Sequence, residues 1–130
     1  MDVSQLQRIP LFQDVPEDAL KQVATFATAE VFPEGKVVIR EGGFSNDFYA
    51  IEEGTARVER GGEHVADLGP GDVFGEEGLL EKQERSATVT ATSTLRVIKI
   101  EHWELSRMRK SMPEVVEQLR STVEQRRGAS

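Results

Sequence analysis

The apolar positions of this chain change their period twice. Leu20, Val23, Ala24 and Ala27 recur every three to four residues, the spacing of one helix face. Just ahead of them Pro16, Glu17 and Asp18 supply a helix start. Proline suits a first-turn position whose N–H has no partner, and the two carboxylates sit beside the positive end of the helix dipole. The pattern therefore predicts a helix over Pro16–Thr25. Further upstream Leu6, Ile9, Leu11 and Phe12 form a weakly helical apolar set broken by Pro10.

From Ala27 to Ile100 the period falls to that of short strands separated by glycine-bearing breaks. Strand-like runs occupy Glu30–Phe32, Val37–Arg40, Phe48–Ile51, Thr55–Arg60, His64–Leu68, Asp72–Phe74, Ala87–Ala91 and Leu95–Ile100. Pro33-Glu-Gly35, Gly42 to Asp47 and Glu53-Gly54 punctuate them, and Gly61-Gly62 reads as a two-residue hairpin turn. About eight strands at this spacing predict an antiparallel barrel or jelly roll rather than an α/β fold. One interruption stands out. Gly75 to Leu80 has the character of a single helical turn inside a β array, a placement that is locally unfavourable unless something uses it.

After Ile100 the helical period returns. Trp103, Leu105 and Met108 mark a short helix, and Pro113-Glu-Val-Val-Glu opens a second in the style of Pro16. Met112, Val115, Val116, Leu119 and Val123 form its apolar stripe, with Gly128 expected to stop it. The expected organisation is a single domain over residues 1–130. It has a helical part at 1–26, a β-roll at 27–100 and C-terminal helices at 101–127, and no internal repeat is visible.

Composition narrows the function classes. At 130 residues, 38% hydrophobic and 30% charged, the chain has room for one real core. No apolar run approaches bilayer-spanning length and Met1-Asp-Val-Ser-Gln does not resemble a secretory signal, so no membrane segment is expected and the cytoplasm is the expected location. With no cysteine there is no disulfide, thiolate metal site or cysteine nucleophile. A net charge of −7 argues against nucleic acid as a partner. Arg107 to Lys110, with Arg120, Arg126 and Arg127, is the basic-leaning region, and solvated helix faces account for it. His64 and His102 lack metal-ligand spacing, so no metal site is expected and a cupin-like enzyme is disfavoured. Neither a Ser-His-Asp set nor a pair of catalytic carboxylates stands out, so no enzymatic activity and no catalytic residue are expected.

The candidate chemistry lies in Phe74-Gly-Glu-Glu-Gly-Leu-Leu-Glu-Lys-Gln-Glu-Arg-Ser-Ala-Thr-Val89. A short helix start offers unpaired backbone N–H groups and partial positive charge, which suits a phosphate oxygen. Gly75 permits close backbone approach. Arg85 can add a forked, permanently charged grip and Ser86 a hydroxyl donor. Glu76 cannot hold phosphate, but it can accept a proton from a ribose hydroxyl or stabilise the helical turn, and the two roles are compatible. The alternative for Arg85 is a surface pair with Glu81 or Glu84. Together these residues look like a cradle for a small sugar phosphate ester.

This stretch resembles the phosphate-binding cassette of cyclic nucleotide-binding domains, in which Phe-Gly-Glu-aliphatic-Ala/Gly-Leu is followed by a short loop and Arg-x-Ala-Thr/Ser-Val. The resemblance extends to Leu68-Gly-Pro-Gly-Asp-Val-Phe-Gly75, to Phe48-Tyr-Ala-Ile-Glu-Glu-Gly54 with Ala56 and Val58, and to Leu11-Phe-Gln-Asp-Val15. It covers roughly Leu11 to Arg127. It implies a mainly β fold with flanking helices, an eight-stranded antiparallel β-roll carrying one N-terminal helix and two C-terminal helices. The implied ligand is a 3′,5′-cyclic purine nucleotide, cAMP ahead of cGMP, with no further cofactor. The implied ligand-binding residues are Val73, Phe74, Gly75, Glu76, Glu77, Gly78, Leu79, Arg85, Ser86 and Ala87. Leu79 and Leu80 would seat the purine or serve as core. Glu77 departs from the aliphatic residue usual there and is expected to face solvent, because an inward carboxylate would oppose an anion. Ser86 does not separate adenine from guanine. The Glu-x-Arg-Arg-Gly run near the C-terminus is similar to that of bacterial cyclic nucleotide-gated potassium channels, which implies Arg126 as a cap on the base, with Leu119 and Val123 as apolar alternatives.

The resemblance further implies a receptor that signals by moving its C-terminal helices. It would act either alone, on an effector protein or as a homodimer through the last helix, or as the sensor domain of a larger regulator. No helix-turn-helix, channel pore or kinase-inhibitory sequence is visible. The competing expectation is a ligand-free β-roll that uses the Met112–Val123 stripe for dimerisation or docking.

Overall fold

The computed structural model describes residues 1–43, 47–75 and 87–129, with residues 123–129 described by backbone alone. Helix α1 (Val3–Gln7) starts on Asp2, whose carboxylate accepts the Ser4 N–H at 3.2 Å while its own N–H is donated to the Gln5 side chain at 3.1 Å. Pro10 does not simply break the apolar set. It opens a tight 3-10 turn (Pro10–Phe12) that buries Leu11 and Phe12. Helix α2 (Glu17–Phe26) follows, carrying Glu17 and Asp18 in its first turn and burying Ala19, Leu20, Val23 and Ala24.

Eight strands follow among the described residues: β1 (Thr28–Phe32), β2 (Val37–Ile39), β3 (Phe48–Glu53), β4 (Ala56–Arg60), β5 (Glu63–Leu68), β6 (Val73–Phe74), β7 (Thr88–Ala91) and β8 (Leu95–Ile100). They form two four-stranded sheets, β1-β8-β3-β6 and β2-β7-β4-β5, with every pairing antiparallel. The fold is therefore mainly β with flanking helices. Gly61 and Gly62 make the two-residue turn between β4 and β5 with φ of +62° and +81°, the positive values that match the twist of a hairpin.

Side-chain alternation explains why the central strands of the first sheet, β3 and β8, are buried on both faces. Phe48, Ala50, Ile98 and Ile100 pack against the helices, in a cluster with Leu6, Phe12, Leu20, Val23, Leu105, Met108 and Leu119. Tyr49, Ile51, Leu95 and Val97 point the other way and meet Ile39, Ala56, Val89 and Ala91 of the second sheet. Each fully buried large side chain here contributes on the order of 1.5–3 kcal/mol relative to exposure.

The chain closes with α3 (His102–Ser111) and α4 (Pro113–Ala129). Glu101, at the N-cap of α3, makes no capping bond. Asp47 supplies one from the start of β3, its Oδ1 accepting the His102 N–H at 2.9 Å. Val115, Val116 and Leu119 bind α4 into the helix-side core, and the Gln118 side chain donates to the Asp14 carbonyl at 3.0 Å. The expected stop at Gly128 is corrected, since the helix continues through it to Ala129. Glycine costs a helix only about 1 kcal/mol relative to alanine, which weakens a last turn without ending it.

Candidate functional site

The segment singled out by sequence joins the two sheets, leaving the first through β6 and joining the second at β7. A locked turn leads into β6. The Gly71 N–H donates to the Ile51 carbonyl at 2.9 Å and the Ile51 N–H to the Asp72 carbonyl at 2.8 Å. The Asp72 carboxylate accepts the Gly69 N–H at 2.8 Å, so this acid is committed to the turn.

In β6, Val73 pairs with Ala50 and Phe74 with Tyr49. The Phe74 ring is 3% exposed and stacks on Tyr49 at 4.9 Å and 13° between planes. Phe32 also meets Tyr49 edge-on at 6.4 Å, so three aromatic rings anchor the end of a two-residue strand. Gly75 then takes φ +75°, a backbone turn that a side chain resists.

At the far end, Ala87 is buried at 9% exposure and Thr88 begins β7, paired with Glu59 of β4. The Thr88 hydroxyl accepts the Glu41 N–H at 2.9 Å.

Tyr49 also stands opposite Lys99, which puts Phe74, Tyr49 and Lys99 in one row across the first sheet. Lys99 Nζ lies 3.1 Å from Glu30 Oε1, and its side chain is only 19% exposed. Burial works against the ammonium charge. The hydrogen bond and negative charge of Glu30, with the fields of Tyr49 and Asp47, outweigh burial and hold the pKa above its ordinary value.

Of the residues expected at the site, Val73, Phe74 and Gly75 stand at one end and Ala87 at the other. Glu76, Glu77, Gly78, Leu79, Leu80, Arg85 and Ser86 lie outside the described residues. Arg126 belongs to α4, where only the backbone is described, and the same holds for Val123. Leu119 is 1% exposed within the helix-side core. Sequence reasoning missed the stacking of Tyr49 on Phe74 and the bond from Glu41 to Thr88. The apolar run Phe48-Tyr-Ala-Ile was the available sign for Tyr49, whereas nothing local marks Glu41.

The two histidines sit on different elements with different partners. His64 Nε2 sits 3.0 Å from Asp67 Oδ1 on β5, and His102 Nδ1 lies 3.4 Å from Asp47 Oδ1 at the start of α3. Among the described residues no group of three or more His, Cys, Asp or Glu side chains converges as a metal site. No helix among them is long and apolar enough to cross a membrane.

The two sheets of this helix-flanked antiparallel β-roll are thus joined by a segment that follows Gly75 and carries Arg85 in its sequence. The family pattern of the "Cyclic nucleotide-binding domain" matches residues 29–111, and this chain belongs to that family. It is 32% identical over 120 residues to a cyclic nucleotide-gated potassium channel of Rhizobium etli, an alignment covering 92% of this chain and 34% of the channel. It is 39% identical over 94 residues to a cAMP-dependent protein kinase regulatory subunit of Yarrowia lipolytica, covering 71% of this chain and 25% of that protein. The chain thus spans about a third or less of these relatives. Among solved structures it superposes on the Thermus thermophilus catabolite activator protein with a TM-score of 0.78 at 27% identity, covering 92% of this chain and 59% of that one. The regulatory domain of Toxoplasma gondii PKA, crystallised with cAMP, gives 0.80 at 26% identity over 95% of this chain and 48% of that one.

Proposed function

We propose that this domain is a receptor for a 3′,5′-cyclic purine nucleotide, cAMP in preference to cGMP, and that it carries out no chemistry on its ligand. The observation that carries this is the cassette order, Phe74-Gly-Glu through Arg85-Ser-Ala-Thr-Val89 with a departure at Glu77, in a chain whose family match spans residues 29–111. The left-handed turn at Gly75 supports it, since it aims the chain out of β6 where a phosphate-facing loop would begin. The preference for cAMP is supported by relatives whose names carry that nucleotide.

In this reading Arg85 pairs with the cyclic phosphate while backbone N–H groups from Gly75 to Leu79 and the Ser86 hydroxyl complete the cradle. Glu76 accepts a hydrogen bond from the ribose 2′-hydroxyl, and Glu77 faces solvent. Phe74 and Ala87 contribute backbone and packing, and Val73 the strand beneath. Arg126 stacks on or bonds the base as α4 closes over it. Occupancy shifts the population of α3 and α4 positions by the ligand's differential affinity for the closed form and by no more. An effector protein or a second copy of the chain reads that shift, in the cytoplasm.

Isothermal calorimetry with cAMP and cGMP tests this. Binding at micromolar or tighter affinity is expected, and silence toward both at high concentration overturns it. Arg85→Ala should weaken binding by about 2–5 kcal/mol, roughly 30-fold to several thousand-fold, with the melting temperature unchanged. An unchanged dissociation constant would place the phosphate elsewhere.

A further inference from the structure

We propose that Glu41 is a positioning residue for the phosphate side of the nucleotide site, a role that rests on the function proposed above. Thr88 is the first residue of β7 and follows Arg85 by three positions. On its β4 side Thr88 is held by the ladder, opposite Glu59. On its β2 side the ladder ends one residue later, at Ile39 opposite Val89, after an irregularity between Val37 and Ile39. What ties Thr88 on that side is Glu41, whose backbone N–H donates to the Thr88 hydroxyl at 2.9 Å. The carboxylate of the same residue reaches across to the other neighbour of β7. Its Oε1 accepts the Gly61 N–H at 2.8 Å, at the first position of the β4–β5 turn. One side chain and its own amide therefore clamp β2, the start of β7 and the β4–β5 turn together, at the point where the arginine-bearing segment arrives.

Both bonds are exposed, and exposed hydrogen bonds add little to global stability. Their consequence is local. They fix where Thr88 stands, three positions along the chain from Arg85. Charge alone predicts the opposite effect. A carboxylate near an anion site repels the ligand, so its removal would tighten binding. Geometry and electrostatics thus give opposite signs for the same substitution.

The test compares Glu41→Ala, Glu41→Gln and Thr88→Val by calorimetry with cAMP and cGMP, alongside thermal melts. Glu41→Ala and Thr88→Val should each weaken binding about three- to tenfold while melting near the wild type. Glu41→Gln should restore affinity to within about twofold, because an amide oxygen still accepts the Gly61 N–H. Wild-type affinity in Glu41→Ala, a Glu41→Gln as weak as alanine, or tighter binding in both overturns the positioning role. If Glu41→Ala does not fold, Thr88→Val, which removes only the hydroxyl acceptor, decides on the same terms. Silence of the wild-type protein toward both nucleotides overturns the proposed function itself, and is distinct from a binding wild type with an indifferent Glu41.

Discussion

Gly54 turns the chain from β3 into β4 with φ +92°. A methyl group there would overlap the Thr94 carbonyl oxygen outright and stand 3.0 Å from Leu95 Cα and 3.1 Å from Ser93 Oγ. Two of these three neighbours are backbone, so no rotamer change relieves the clash. The turn would have to move, and it is pinned. Thr55 donates its N–H to Ser93 Oγ at 3.0 Å, Thr92 donates its N–H to the Thr55 carbonyl at 3.0 Å, and the Thr92 and Thr55 hydroxyls meet at 2.8 Å. Holding an alanine at positive φ costs about 1–2 kcal/mol, and each displaced hydrogen bond about 0.5–1.5 kcal/mol. Gly54→Ala should therefore destabilise by about 3–5 kcal/mol. For a domain of this size that lowers the melting temperature by roughly 10–20 °C. Gly61→Ala is the matched control. Its φ is +62° and nothing lies within 4 Å of the added carbon, so only the dihedral strain of about 1–2 kcal/mol applies. Both substitutions restrict the unfolded chain alike, which cancels in the comparison. Thermal melts of the two variants side by side provide the assay. If Gly54→Ala melts within about 3 °C of Gly61→Ala, the close approach of the two turns does not exist in solution.

Phe74→Ala removes a ring that is 3% exposed and stacked on Tyr49, so urea unfolding should show a loss of about 3–5 kcal/mol, and a loss below about 1 would deny the aromatic anchor. Lys99 holds its proton more tightly folded than unfolded, so its bridge to Glu30 contributes fully below its ordinary pKa of 10.5 and fades as pH rises through the higher folded value. The stability gap between wild type and Lys99→Met should accordingly shrink above that pH, and a gap that widens there refutes the raised pKa. Asp47→Ala removes the acceptor for the His102 N–H, so amide exchange over His102–Glu104 should quicken about three- to tenfold. Unchanged exchange would mean that α3 needs no cap from β3.

Local signals were legible where the physics is local. Gly61-Gly62 announces a hairpin because only positive φ at both positions matches strand twist, and the values are +62° and +81°. Pro16-Glu-Asp announces α2, and the unbroken apolar run Phe48-Tyr-Ala-Ile fits a strand covered on both faces. Long-range partners leave no such trace. Asp47 caps α3 from 55 positions away, and Glu41 reaches Thr88 from 47 positions away. No periodicity encodes either contact, because each depends on which strand ends the fold brings together. Gly128 misled for a different reason, since a propensity of about 1 kcal/mol is too weak to end a helix that has already formed. At the candidate site, residue types and a resemblance singled out the segment from Gly75 to Ala87, which runs between the end of β6 at Phe74 and the start of β7 at Thr88.

Those positions bear on how a ligand would be felt. The segment leaves the first sheet beside Tyr49 and enters the second beside Glu59, so anything that draws its two ends together acts on both sheets at once. Of the two, the first is the one in contact with the helices. Tyr49 faces the inter-sheet core and carries Phe74, while Phe48, the preceding residue on the same strand, faces Leu105, Met108 and the rest of the helix-side cluster. A displacement of β3 cannot relieve one face without disturbing the other, because close-packed interiors yield by switching between packings rather than by stretching. Asp47, one residue further back, bonds the first amide of α3. The contacts that link Phe74 to the first amide of α3 thus form a route of one ring stack, one strand and one side-chain cap. Asp47→Ala and Phe74→Leu cut it at opposite ends, so each should leave nucleotide-induced protection of α3 smaller than in the wild type.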